Sequence, residues 1–170
     1  MVSCQGTFEF YDDAFAYPES VFRPVPAIKE SYPENSVMWY INKFHPKFAF
    51  LVKRARLDRQ MGDPEFNGTV FLPLEDSILE DDIVNMDTNT ARKIVKYHFM
   101  MGFFPKNALF TSPYQQLQST MKGSFIWAQM PTPDSMLLNF STPIVYYDIK
   151  MVNGIIHIIH NLLFENGPRC

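Results

Sequence analysis

Glycine is scarce in this chain: seven among 170 residues, and none cluster. That excludes a glycine-rich loop of the kind that cradles phosphates. Cysteine is scarcer. Cys4 and Cys170 stand near opposite termini, whereas a disulfide framework would have more, spaced through the core. Two free thiols are the expectation. A bridge between termini is the alternative, since domain termini often lie close together. Positive charge is not in excess, the net charge being −3, so nucleic acid is not expected as a partner. No window reaches the roughly 18 apolar residues of a membrane span. The start, MVSCQGTFEFYDDAFAYPES, lacks a basic region and an apolar run, so it does not read as a signal peptide. A cytoplasmic or virion location is expected. The sequons at Asn67 and Asn139 are then chance matches.

Nucleophilic catalysis needs a positioned Ser or Cys beside a base. There is no G-x-S-x-G, and both cysteines are terminal. Glu80-Asp81-Asp82 reads as a solvated helix end, not a carboxylate dyad. No catalytic residue, metal ligand or cofactor is expected. Two histidines test that view. His157 and His160 lie in MVNGIIHIIHNLLF, residues 151–164. On a strand they point to opposite faces and cannot share a metal ion. The helical zinc motif needs a spacing of four with a Glu between. His45, before Pro46, is expected to be exposed.

Aromatic side chains are plentiful, with sixteen Phe and eight Tyr. Residues 1–36 read as an extended arm, interrupted by Pro18, Pro24, Pro26 and Pro33, because proline prevents long helices and central strands. Phe8, Tyr11, Phe15, Tyr17 and Phe22 would anchor the arm on its own domain or on a neighbour. Residues 37–165 read as one domain and 166–170 as a tail.

Within the domain, Phe48, Leu51, Val52 and Ala55 approximate helical spacing, stopped by Gly62-Asp63-Pro64. Thr69–Leu72 is a short strand ended by Pro73, and a short helix capped by Glu75, Asp76 or Ser77 follows. Residues 87–102 form the clearest helix, capped by Asp87, Thr88 or Asn89 and ended by Gly102. Its apolar stripe includes His98, expected as a structural hydrogen-bonder. Gln116–Met121 and Ser124–Ala128 are β-prone. Residues 144–152 and 155–160 make a hairpin across Asn153-Gly154, where both positions can take φ > 0 in a type I′ turn. The return strand, apolar on both faces, should be central. Helices and strands in this order make an α+β domain.

Three segments carry a resemblance: Thr69-Val70-Phe71-Leu72-Pro73, Tyr97-His98, and Asn153-Gly154-Ile155-Ile156-His157. In this order and spacing they resemble the boxes of fasciclin-like domains, across about Met38–Phe164. Leu72 and Leu74 stand where that family usually has Ala and Thr, and His160 where Asp or Asn is common. The resemblance implies a small β-sandwich or wedge with packed helices and no catalysis. Thr69, Val70, Phe71, Pro73, Tyr97, His98, Asn153, Gly154 and His157 would be its fold signature. In the family the Tyr-His segment has been proposed as an integrin contact; core packing is the reading favoured here. Similar modules occur in virions of large DNA viruses. The expected function is therefore a structural or assembly module, such as a minor capsid protein. Its arm would contact other protein subunits, capsid proteins among them. The alternative is a cell-adhesion module at a cell or virion surface.

Overall fold

The computed structural model describes residues 32–163, apart from Lys122. The arm anchors Phe8, Tyr11, Phe15, Tyr17 and Phe22, both cysteines and the 166–170 tail lie outside the described residues.

Three helices open the domain: α1 (Val37–Phe44), α2 (Pro46–Arg54) and α3 (Asp58–Gly62). The helical spacing through residues 48–61 therefore spans two helices, broken where Arg56 turns left-handed at φ 64°. Strand β1 (Gly68–Pro73) follows, then a 3-10 turn at Glu75–Ser77 and the four-residue α4 (Glu80–Ile83). The expected caps Glu75, Asp76 and Ser77 are that turn itself, and Ser77 Oγ donates back to the Leu74 carbonyl at 2.7 Å.

Helix α5 runs Thr88–Tyr97, with the Asp87 carboxylate accepting Thr90 N–H at 3.2 Å. It ends five residues earlier than its pattern suggested. Phe99–Met101 leave it to form β2, antiparallel to Gly68–Val70 of β1. Pairing with a buried strand prevails over helix propagation here. Gly102, at φ 105°, thus follows a strand instead of capping a helix.

After α6 (Lys106–Leu109) come β3 (Tyr114–Gln118), β4 (Phe125–Thr132), β5 (Ser135–Leu138), β6 (Thr142–Met151) and β7 (Gly154–Ile159). All seven strands form one sheet in the order β2-β1-β7-β6-β5-β4-β3. The sheet curls until its ends meet: Thr120, just past β3, donates its N–H to Phe99 of β2 at 2.8 Å. This curled sheet is the wedge. Strand β7 lies between β6 and a parallel β1, and every residue of β1 and β7 is buried.

Alternation along these two strands feeds two cores. Val70, Leu72, Ile156 and Ile158 face α1, α2 and α5. Phe71 and Ile159 face the inside of the curl, with Ile126, Leu138 and Leu109.

Candidate functional site

The signature residues form braces between backbone segments. Thr69 is fully buried in β1. Its Oγ donates to the Gly102 carbonyl at 2.7 Å and accepts Phe104 N–H at 2.9 Å. One hydroxyl thereby fastens the turn after β2 onto β1. Val70 and Phe71 fill the two cores, one each. Pro73 closes the pairing of β1 with β7, opposite Ile159.

His157 reaches the same turn from β7. Its Nε2–H donates to the Phe104 carbonyl at 2.8 Å, and its Nδ1 accepts Asp148 N–H at 3.2 Å. Asp148 sits in a bulge of β6 at φ 63°, and its carboxylate accepts Lys106 N–H at 2.8 Å. The imidazole thus pins a bulge on one side and a turn on the other. Both ring nitrogens are occupied, which requires the neutral ring. Burial pushes its pKa down, opposed by the Phe104 carbonyl and the Asp148 charge. His160, three residues on, is exposed and meets only Asn161 Oδ1 at 3.1 Å among described side chains. Strand β7 ends at Ile159, so His160 lies just past the strand, exposed, while His157 is buried within it.

His98 caps the end of α5. Its Nδ1–H donates to the Ile94 carbonyl at 2.7 Å, and its Nε2 accepts Leu163 N–H at 2.9 Å. Complete burial pushes its pKa down to about 4, the Ile94 carbonyl opposing this. The ring packs edge-on against Phe48 at 5.6 Å. Tyr97 beside it is 2% exposed. Its hydroxyl donates to the Phe125 carbonyl at 2.7 Å and accepts Asn139 Nδ2–H at 3.0 Å. Neither Tyr97 nor His98 presents a surface to a partner.

Asn153 and Gly154 occupy the hairpin end, but the type I′ expectation is overturned. Neither residue is among those with positive φ. Asn153 is needed for its amide: Oδ1 accepts Val37 N–H at 2.8 Å, and Nδ2 donates to the Met61 and Asp63 carbonyls at 3.0 and 2.9 Å. It joins the starts of α1 and β7 to the end of α3. Gly154 is needed for its missing side chain. A Cβ there would strike the Gly68 carbonyl and come within 3.0 Å of Val37 Cγ2.

His45 is a second correction. It is 8% exposed, not solvent-facing, and its ring stacks on Tyr40 at 5.9 Å. Burial lowers its pKa, with the Pro73 carbonyl and Glu75 opposing. Its Nδ1 lacks a hydrogen-bond partner. Among the described residues no group of three or more His, Cys, Asp or Glu is placed to hold a metal ion, and no helix is long and apolar enough to cross a membrane.

The surface carries what the signature does not. A shallow cleft of about 300 Å³ runs between α2 and α4, lined by Pro46, Phe50, Ile83, Val84 and charged Lys47, Glu75 and Glu80. Val84 of this lining is exposed, as is Leu79, which precedes α4. On the far side of the curl, Tyr114 stacks on Trp127 at 5.3 Å and touches Phe140 at 6.0 Å. Sequence reasoning missed this ridge. The alternation Phe125-Ile126-Trp127-Ala128 contained its signal, because Ile126 and Ala128 face inward and leave two aromatics facing out. The sequon residue Asn139 is buried, with its amide holding Tyr97 and β4.

A family model described as "Fasciclin domain" matches residues 44–165. Among curated proteins none matches. Among solved structures, the chain is similar to a FAS1 domain pair from the insect cell adhesion molecule fasciclin I. The TM-score is 0.62 at 15% identity, over 78% of this chain and 52% of that one. The chain thus spans about half the length of that structure.

Proposed function

This chain belongs to the fasciclin domain family, and from that premise we propose that it is a non-enzymatic module that binds other proteins in the manner of an adhesion domain. One observation carries the reading. The two histidines within the signature boxes, His98 and His157, spend both ring nitrogens on backbone groups, while large apolar side chains stand on the surface. A general base needs a free nitrogen within reach of substrate. Exposed aromatic and aliphatic side chains are what protein interfaces use.

The solved relative is a cell adhesion molecule, which supports the adhesion form of the module. The narrower expectation, a virion or minor capsid component contacting neighbouring subunits through its N-terminal segment, draws no support from the fold or the family match.

The test is adhesion. Beads coated with the full chain are presented to cells and to beads bearing the same chain, beside a Leu79→Ser, Val84→Ser double variant and a beads-only control. Adhesion above the control, reduced several-fold in the variant, is expected. Adhesion no greater than the control on both surfaces would overturn the reading.

A further inference from the structure

The ridge made by Tyr114, Trp127 and Phe140 is an unusual surface. Tyr114 and Phe140 are 50% and 49% exposed. Phe140 and its neighbour Asn139 are both left-handed, at φ 66° and 52°, and Ser141 N–H bonds to the Leu138 carbonyl at 3.1 Å. These angles make a type I′ turn, in which a phenylalanine is an outlier. The turn is nevertheless held firmly. Asn139 exchanges backbone and side-chain hydrogen bonds with Trp127 and donates to Tyr97. The buried Tyr97 strut therefore supports the turn that raises Phe140 beside Tyr114.

Among the described residues, the side chains that β3, β4 and β5 turn outward around the ridge are uncharged. Inward-facing Leu117, Ile126, Ala128, Met136 and Leu138 fix the alternation. Opposite them β3 turns out Tyr114, Gln116 and Gln118, β4 turns out Phe125, Trp127 and Gln129, and β5 turns out Leu137. Aromatic faces flanked by amide donors fit an uncharged segment of aromatic and proline residues, whose rings stack and whose carbonyls accept hydrogen bonds.

The chain carries such a segment outside the described residues. Ala14-Phe15-Ala16-Tyr17-Pro18 has no charged residue. Its tether ends at Tyr32, fixed by a 2.7 Å hydrogen bond to Asp58. Nearby, Asn35 accepts Val152 N–H at the β6–β7 end of the sheet. The ridge lies at the other end of β6, past Thr142. Ten residues of β6 span roughly 33 Å. Tyr32 stands fourteen positions after Pro18, enough for roughly 46 Å when extended. A short tether gives an effective concentration of about millimolar, well above that of a second copy at micromolar protein.

We propose that residues 14–18 of the same chain dock on the Tyr114–Trp127–Phe140 ridge and cover it. This goes beyond the adhesion reading and does not depend on it. The experiment uses the full chain with Tyr17 replaced by the photo-crosslinker p-benzoylphenylalanine. After irradiation, monomer and dimer bands are digested and the linked peptides identified. The expected result is a link in the monomer band to peptides containing 114–118, 125–129 or 138–141. A Trp127→Gln, Phe140→Gly pair should reduce that link several-fold. Phe140→Gly alone relieves the left-handed strain, so its folding is safe, and it should weaken the link too. Links confined to the dimer band, links to other peptides, no link, or yields unchanged by Phe140→Gly would each overturn the proposal.

Discussion

Gly154 lies so close to Gly68 that a single added carbon on Gly154 would collide with the Gly68 carbonyl. The two residues face each other in register across the parallel pair β1–β7. Backbone contact of this kind cannot be eased by a rotamer change. Gly154→Ala should therefore destabilise the fold by at least about 2 kcal/mol, read as a lower denaturant midpoint.

Asn153 makes an opposing forecast to the turn reading of the same dipeptide. In a type I′ turn, Asn153→Gly would be harmless. Here it removes the amide from Val37 N–H and the Met61 carbonyl, and one of two donors from the Asp63 carbonyl, which keeps Phe66 N–H. A loss of about 2–4 kcal/mol is expected. Urea unfolding of the purified variant decides between the two.

This dipeptide shows how much was legible. Its place as a hairpin end was readable, because strands flank it on both sides. Its reason was not, because the partners of Asn153 lie about 90 and 116 residues away in sequence. The central position of Gly154–Ile159 was readable from apolar residues on both faces. Its parallel partner was not, since nothing local encodes which strand lies beside it. Helix α5 overran in the sequence because Phe99-Met100-Met101 suits either a helix or a strand. His45 looked exposed because a histidine beside a proline says nothing of the Tyr40 ring that covers it. The outward aromatics of β4 were readable by alternation. Tyr114 and Phe140 joining them depends on cross-strand register and a turn.

Acid should weaken the fold through the histidines. His98 is held neutral in the fold down to about pH 4, whereas an unfolded histidine titrates near 6.5. Between those values the unfolded chain binds a proton that the folded chain refuses. Stability is therefore full above pH 6.5 and falls toward pH 4, by up to about 3 kcal/mol from His98. His157, also lowered by burial, acts in the same direction. Denaturant midpoints from pH 7.5 to 4.5 should fall, and His98→Gln should flatten the slope.

Thr69 offers a check on the turn it fastens. Thr69→Val keeps the shape but removes the hydroxyl that serves Gly102 and Phe104. A loss of about 1–3 kcal/mol is expected. Faster amide exchange at Phe104 than in the parent would locate the damage.

The signature residues brace the fold, and on the proposed reading the surface meets partners. Tyr97→Phe tests this division most directly, because it removes one buried hydroxyl and alters no exposed atom. Unfolding and bead adhesion are measured on the same preparation. The account predicts a stability loss of about 1–2 kcal/mol with adhesion per folded molecule unchanged. Adhesion abolished at unchanged stability would contradict it, and would make Tyr97 a contact residue after all.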